Sequence, residues 1–399
     1  MRTPRAMVAV LTPCVLIGGL GAARADDAPE VPPAAAPQGD APDGAPGTVA
    51  ARPPAAGTDD DARAAPTGRF ELAAGFDPDD GFVFGAAVAQ DDLFHTGQRL
   101  ALSAELSARA QAFRLTHGVD DVLGTGLDLR TELFDVRRAY PGFTRDGAGG
   151  AITLGHAVDA HTRGYLRYQL EQVALEPGGG PVTGRDLGVA GRDLGDGRIA
   201  TLRAGLVRDT LDAPTLPRHG RRVELFAEAA DPRLGSEHGF VQLGGSFDDA
   251  RPLGPFTLRL HGHGSYIRSD DPGGVPLAVR LQHDGHVDGR GYPIGSIGTT
   301  MWTPAGVVAT GDNLEAVGRV ELELPVWSRV GLSVAGFADA ALRGNTDAAW
   351  GPTGLTAFRS VGASILWRSP LGPLRFDWAV PLDATDPTPQ FLFSFGGAL

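Results

Sequence analysis

Residues 374–380 read Leu-Arg-Phe-Asp-Trp-Ala-Val, and this stretch decides the fold because apolar side chains occupy every second position. A period of two places alternate side chains on opposite faces of a β-strand. The pattern recurs at 99–106, 127–133 and 319–324, where the polar face carries full charges of both signs. Such segments are longer than the roughly five or six residues usual in soluble sheets. They suit the strands of an outer-membrane barrel, which have lipid on one face and a polar lumen on the other.

Sixteen segments with this pattern can be placed after residue 67. Backbone groups inside a bilayer must all be hydrogen-bonded, so the sheet is expected to close on itself. The sequence therefore predicts an all-β fold, a 16-stranded antiparallel transmembrane β-barrel over residues 68–399. The segments lie at about 68–76, 81–89, 97–108, 110–118, 123–135, 146–157, 161–175, 195–208, 219–230, 236–249, 254–269, 313–326, 330–342, 357–368, 372–381 and 389–399.

The breaks between these segments predict the orientation of the barrel. The longest breaks, at 136–145, 176–194, 270–312 and 343–356, follow odd-numbered segments, and the main exception is 209–218 after the eighth. Outer-membrane barrels have long extracellular loops and short periplasmic turns. We therefore expect both ends of the barrel segment in the periplasm. A soluble β-sandwich, which also alternates, is the less favoured interpretation.

The N-terminal part of the chain predicts export. Arg2 and Arg5 precede an apolar run at 6–20, and Ala-Arg-Ala at 23–25 is typical of a cleavage site, so residues 1–25 are predicted to be a signal peptide. Cleavage there would remove Cys14, the one cysteine of the sequence. Residues 26–67 are rich in Pro, Ala and Asp and contain no aromatic residue. We interpret them as a disordered periplasmic linker.

Composition excludes several classes of function. The net charge is −13, and all 35 basic residues are Arg, which argues against a nucleic-acid partner. The pairs His261 and His263, and His283 and His286, are candidate metal ligands, but no suitably spaced carboxylate or Cys accompanies them. We expect no metal and no cofactor.

Six short motifs, spread from the first hairpin to the fifteenth segment, carry a family resemblance. They are Gly-Phe-Val-Phe-Gly at 81–85, Leu-Phe-His-Thr-Gly-Gln at 93–98, Arg-Asp-Thr-Leu-Asp at 208–212, Gly-Arg-Gly-Tyr at 289–292, Phe-Ala-Asp at 337–339 and Ser-Pro-Leu-Gly-Pro-Leu-Arg at 369–375. In this order and spacing they resemble the bacterial surface antigen family, the family of the BamA and TamA outer-membrane barrels. The resemblance covers the whole of 68–399.

The resemblance implies that a long sixth loop folds back into the lumen. Its tip motif corresponds to Arg290, Gly291 and Tyr292, and the arginine would pair with Glu321 and Asp339 on the twelfth and thirteenth strands. The length of segment 270–312 agrees with this independently, because loops of this size are usually functional or disordered. An arginine in a narrow lumen also requires a carboxylate partner.

The last segment resembles the C-terminal insertion signal of such barrels. Phe391, Phe393 and Phe395 share one parity, and Leu399 stands where an aromatic residue is usual in the family.

Two functions follow as hypotheses. The resemblance implies a factor that assists insertion or translocation of outer-membrane proteins or lipids through a labile seam between the first and last strands. The alternative is a passive pore or structural barrel that retains the fold alone. Residues 26–67 are too few for a periplasmic POTRA domain, which we therefore expect to be missing. The expected partners are outer-membrane lipid, client barrels and an unidentified periplasmic protein, and no motif indicates an enzyme.

Overall fold

A computed structural model describes residues 68–176, 194–213, 216–283, 285, 289–303, 306–369, 372–385 and 387–395. The predicted signal peptide 1–25 and linker 26–67 lie outside these residues. In the described ranges, no helix is long and apolar enough to cross a membrane. The helices are single turns of 3-10 type at Val122–Gly124, Pro232–Leu234, Leu277–Val279 and Ala348–Trp350.

The described chain is built almost entirely of β-strands. They are β1 Gly68–Asp77, β2 Gly81–Leu93, β3 Gln98–Leu106, β4 Ala110–Val119, β5 Leu127–Tyr140, β6 Phe143–Ala157, β7 Thr162–Glu176, β8 Gly197–Asp209, β9 Gly220–Ala230, β10 Phe240–Leu253, β11 Phe256–Arg268, β12 Thr300–Thr303, β13 Gly306–Ala309, β14 Leu314–Trp327, β15 Leu332–Asn345, β16 Gly354–Ser369, β17 Gly372–Pro381 and β18 Gln390–Phe395.

Sixteen of these strands form one closed antiparallel barrel, which confirms the predicted fold. Each barrel strand pairs with its neighbours in the chain, except that β11 pairs directly with β14 and that β1 pairs with β18. The connection between those two strands, residues 269–313, is the long loop. It contains the remaining pair, the hairpin of β12 and β13, which sequence periodicity did not predict.

The two parities of the strands face different surroundings, as the alternation predicts. On β1, the side chains of Phe70 and Leu72 are exposed on the outer surface. On β14, Glu321 and Glu323 are buried, whereas Val320 and Leu322 on the other parity are exposed. Charged side chains therefore line the inside of the closed sheet, and apolar ones form the surface that meets lipid.

The ends of the barrel differ in their connections. The two longest connections, at 177–196 and 269–313, lie at the end opposite Gly68 and Phe395. This arrangement is typical of a barrel whose termini are periplasmic.

The predicted break at 136–145 is wrong. β5 and β6 continue through it to a two-residue turn of Pro141 and Gly142, and Gly142 has the positive φ of 94° that such a turn requires. Arg137 interrupts the apolar parity, but it lies at the extracellular end and pairs with Asp146 across the hairpin, with 2.9 Å between Nη1 and Oδ2. Outward-facing side chains need to be apolar only where the strand contacts lipid.

The barrel closes between its first and last strands. In the described residues, β1 pairs with β18 from Ala74 to Phe76, opposite Phe393–Phe395. By contrast, β1 pairs with β2 along the whole range Gly68–Asp77. Over the residues that the structure describes, which end at Phe395, the seam ladder thus has three pairs, against ten on the other side of β1.

Candidate functional site

Arg290, near the middle of the long loop, is held by carboxylates of the barrel wall. Its Nε and Nη2 each donate to Asp339 of β15 at 2.7 Å, a bidentate pair. Its Nη1 lies 3.5 Å from Glu321 of β14 and 3.7 Å from Asp377 of β17. The guanidinium stacks over the ring of Phe337, 3.5 Å from its centroid. The structure thus brings together Arg290 and both of its sequence-predicted partners.

Asp377 is a third carboxylate partner that sequence reasoning did not identify. The alternation in 374–380 places Asp377 on the inner face of the strand. Alternation alone does not show which loop residue lies close to it. Arg375 lies between the same groups, donating through Nη2 to Glu321 at 2.5 Å and through Nε to Asp377 at 2.8 Å. Arg259 of β11 donates to Glu321 through Nη1 at 3.0 Å. Glu321 is therefore shared by arginines from three elements.

The pairing extends one step further toward the periplasmic end. Glu323 accepts from Nη1 of Arg368 on β16 at 2.6 Å and also pairs with Arg259. The cluster as a whole balances four guanidiniums with four carboxylates, so every buried charge in it has an opposite partner. Its members are Arg259, Arg290, Arg368, Arg375, Glu321, Glu323, Asp339 and Asp377. We call it the arginine lock.

The two residues after Arg290 fit the wall equally closely. Gly291 has a φ of 95°, and a Cβ there would lie 3.3 Å from the Ala379 side chain and from the backbone nitrogen of Pro381. The hydroxyl of Tyr292 donates to the carbonyl of Arg359 on β16 at 2.7 Å and accepts from the backbone N–H of Asp383 at 3.1 Å. The Arg-Gly-Tyr motif therefore contacts β15, β16 and the connection after β17.

Two further buried arginines, Arg280 and Arg343, contact the long loop on both sides of its tip. Neither was identified from the sequence. Arg280 donates to the carbonyls of Thr310 and Gly311 at 2.7 and 2.8 Å and to Asn345 at 3.0 Å. Burial lowers the pKa of Arg280 to about 10, and Asp347 and Asp312 oppose that shift. The guanidinium therefore remains charged at neutral pH.

Arg343 of β15 completes this second set. It donates through Nε to Asp312 at 3.0 Å and through Nη2 to the carbonyl of Leu281 at 2.9 Å. Its Nη1 lies 2.8 Å from Glu315. Fully buried guanidiniums thus tie residues 280–281 and 310–312 of the loop to each other and to β14 and β15.

An apolar core, which we call the apolar cap, lies at the extracellular end of the barrel beside these arginines. It includes Tyr140, Leu175, Ile267, Leu277 and Trp350. Trp350 is 1% exposed, and its indole Nε1 donates to the carbonyl of Val275 at 2.8 Å. The cap buries the long loop against the ends of β5 to β11 and the connection between β15 and β16.

The C-terminal strand has the parity predicted for the insertion signal. Phe391 is exposed on the outer surface, whereas Leu392 and Ser394 are buried inside. Phe393 packs against Phe376 of β17, with 4.8 Å between ring centroids. Leu399 lies outside the described residues, and the role of the segment as an insertion signal stays a prediction.

The histidines do not gather into one site. His261 lies 2.6 Å from Asp248 and 3.4 Å from His263. His283 is in the long loop, with Nε2 3.3 Å from the carbonyl of Tyr292, and His286 lies outside the described residues. In the part of the chain that the structure describes, no three potential ligands converge on one metal position.

Taken together, these contacts fix a long loop to the inner wall of the barrel at its tip and at its base. Bidentate pairs between arginine and carboxylate in a poorly hydrated interior are directional and costly to break. Such an arrangement can hold the loop in one position.

Comparison with known proteins agrees with this geometry. The model of the Omp85 superfamily domain matches residues 92–398. The outer membrane protein assembly factor BamA of Neisseria meningitidis is 27% identical over 380 residues, covering 83% of this chain and 47% of that protein. BamA of Nitratidesulfovibrio vulgaris is 23% identical over 76% of this chain and 37% of its own length. This chain thus spans less than half the length of these relatives.

A solved structure has the same fold. The crystal structure of BamA from Haemophilus ducreyi lacking POTRA domains 1–3 superposes with a TM-score of 0.69 at 21% identity, over 83% of this chain and 70% of that one. The resemblance stated from the motifs is therefore confirmed at the level of the family and the barrel.

Proposed function

Because the chain belongs to the Omp85 superfamily, we propose that it assists the insertion or translocation of outer-membrane proteins, or of lipids, through the seam between β1 and β18. It does so as a barrel in the outer membrane of a Gram-negative bacterium, without an enzymatic step. The names of the two curated relatives, both outer membrane protein assembly factors, support this class of activity. The proposed partners are membrane lipid, client barrels and a periplasmic protein.

The short ladder at the seam is the observation that carries the proposal. Among the described residues, β18 meets β1 only along Ala74–Phe76, and β1 extends from there back to Gly68. A strand edge with few paired backbone groups is a template for another strand. Opening the three described pairs breaks few hydrogen bonds, and a client strand can replace them by pairing with β1.

The arginine lock and the apolar cap supply the fixed side of this mechanism. The arginine lock holds the loop tip to β14, β15 and β17. The apolar cap holds the loop to the ends of β5 to β11. We propose that the loop plugs the lumen while the seam moves, because the buried ion pairs tie it to the wall that does not open. The role of Arg290, Gly291 and Tyr292 as a plug motif, with Glu321 and Asp339 as partners, belongs to this proposal.

A disulfide across the seam tests the function. Gly75 and Ser394 face each other in the register of β1 and β18, so Gly75→Cys with Ser394→Cys should lock the seam. In a deletion strain, this variant should fail to restore the amounts of outer-membrane barrels measured by proteomics until a reductant is added. A locked seam that restores every barrel as well as the unmodified protein does would contradict the proposal.

The chain offers a matched control for that variant. Gly75 also faces Val83 in the register of β1 and β2. Gly75→Cys with Val83→Cys therefore shares one substitution and places a disulfide between neighbouring strands without crossing the seam. This control should restore the barrels with or without reductant.

A passive pore or structural barrel is the second candidate, and the contacts that hold the long loop to the wall favour a structural barrel over an open pore. Balanced ion pairs and the cap leave the loop fixed, so the unmodified protein should conduct little in planar bilayers. Arg290→Ala should raise the single-channel conductance, because it frees the loop tip from Asp339. A large, steady conductance of the unmodified protein, together with an inert seam disulfide, would favour a pore.

A further inference from the structure

A charged cluster interrupts the lipid-facing surface of β9 and β10 near their periplasmic ends. On these strands the outward parity is marked by the exposed side chains of Leu225 and Leu243. Arg221, Asp249 and Arg251 share that parity. Arg221 is the second residue of β9 and Arg251 lies two residues before the end of β10, so the cluster is at the level of the periplasmic headgroups.

The two arginines are held by one buried carboxylate. Asp249 faces Arg221 directly in the register of the two strands. Arg221 donates from Nε to Oδ1 of Asp249 at 2.9 Å, and Arg251 donates from Nη2 to the same oxygen at 3.0 Å and from Nε to Oδ2. The Asp249 side chain is 3% exposed, whereas those of Arg221 and Arg251 are 51% and 55% exposed.

This arrangement leaves positive charge and donors directed to the surroundings. Two guanidiniums share one carboxylate, so the cluster carries one excess positive charge. Among the described residues, the Nη groups of Arg221 and Nη1 of Arg251 have no acceptor. The Arg221 guanidinium also lies 5.3 Å from the ring centroid of Phe247, which stands one step toward the membrane centre. The cluster is thus fixed in place and not a pair of mobile surface side chains.

A charge on the outer face of a barrel is destabilising at the membrane centre and costs little at the interface. At headgroup level the available acceptors are lipid phosphates, and the planar guanidinium fork fits phosphate oxygens. We propose that Arg221 and Arg251, positioned by Asp249, bind the phosphate of an anionic phospholipid of the periplasmic leaflet. Its acyl chains would lie along Phe247 and Leu225.

The state of Asp249 favours an anionic over a zwitterionic headgroup. Both of its oxygens already accept hydrogen bonds from the arginines, and the side chain is buried. The ammonium or choline group of a zwitterionic lipid would therefore meet two guanidiniums and no open carboxylate. A headgroup such as glycerol, which has no charge beyond the phosphate, avoids that repulsion.

Native mass spectrometry of the full-length protein in detergent tests this site. The protein is titrated with phosphatidylglycerol or, separately, with phosphatidylcholine. We expect selective binding of phosphatidylglycerol. The variant Arg221→Gln with Arg251→Gln should bind it about thirtyfold more weakly, because each arginine near an anionic headgroup contributes about 1 kcal/mol to the binding free energy. Equal binding of both lipids, or an unchanged affinity in the double variant, would overturn the proposal.

Arg268 provides the matched control. It is an outward-facing arginine at the last position of β11 and pairs with Asp270, two residues away in sequence, as Asp249 is from Arg251. Among the described residues, no second arginine shares that carboxylate. Arg268→Gln should leave the affinity for phosphatidylglycerol unchanged. A loss in this variant equal to that of the double variant would mean that only the overall charge matters.

Two further measurements distinguish an ordered lipid site from non-specific electrostatic attraction and from a site for free phosphate. Asp249→Asn raises the local charge but removes the group that holds both forks, so we expect weaker lipid binding; tighter binding would contradict the proposed role of Asp249. An excess of inorganic phosphate should not displace the lipid, because the acyl chains contribute contacts. Displacement would assign the site to free phosphate.

Discussion

Arg290→Ala is expected to lower the free energy of unfolding of the barrel by about 3–5 kcal/mol, the usual effect of removing one partner of a buried ion pair. The substitution leaves Asp339 buried without its bidentate donor, and Glu321 and Asp377 lose a nearby positive charge. It also removes the group stacked on Phe337. Urea titration of the protein folded in lipid vesicles, followed by the mobility of the folded form on unboiled gels, measures the change.

Two companion variants identify the cause of that loss. Arg290→Lys keeps the charge but has no planar fork, so its effect should lie between those of the unmodified protein and Arg290→Ala. Adding Asp339→Asn to Arg290→Ala should recover part of the lost stability, because the orphaned carboxylate is then neutral. Additive losses in the double variant would show that the two residues do not act as a pair.

Trp350→Ala is expected to cost a similar amount, about 3–5 kcal/mol, for a different reason. Trp350 is fully buried in the apolar cap, and its loss would open a cavity beside Arg280, whose guanidinium lies 5.1 Å from the indole centroid. It would also leave the carbonyl of Val275 without its indole donor. The same urea titration reports the change.

Trp302 is the control for that prediction within the same cap region. It belongs to the β12–β13 hairpin of the long loop, and its side chain is 82% exposed. Trp302→Ala should change stability by no more than about 0.5 kcal/mol, as is usual for surface substitutions. Equal losses from the two tryptophans would show that the cap is not a packed core.

The strands could be predicted because lipid imposes a strict rule on one face. Phe70 and Leu72, or Val320 and Leu322, mark that face without any knowledge of their neighbours, so all sixteen segments were found. Beyond the membrane, outward-facing residues need not be apolar. The predicted break at 136–145 is wrong for this reason, because Arg137 and the turn at Pro141 interrupt the alternation while the strands continue. Local periodicity therefore identifies a strand only while it contacts lipid.

The candidate site was predictable only where a motif marked it. Arg290, Glu321 and Asp339 came from the family resemblance, and the structure places them together. Asp377 and Arg375 share the inward parity, but their distance from Arg290 depends on the register of strands far apart in the chain. Arg343 continues the inward parity of Asp339 on β15. Its partners and those of Arg280 are mostly backbone carbonyls and loop carboxylates, which no local pattern marks.

The composition of the apolar cap has a consequence for the order of folding. Tyr140 and Trp350, which belong to the same core, are separated by most of the barrel in sequence, and strands β5 to β11 each place a residue at that core. Contacts between residues so distant in the chain form late, because the loop entropy must be overcome first. The cap cannot exist until those strands are already side by side. We therefore expect the long loop to settle against the cap only after β5 to β11 have paired.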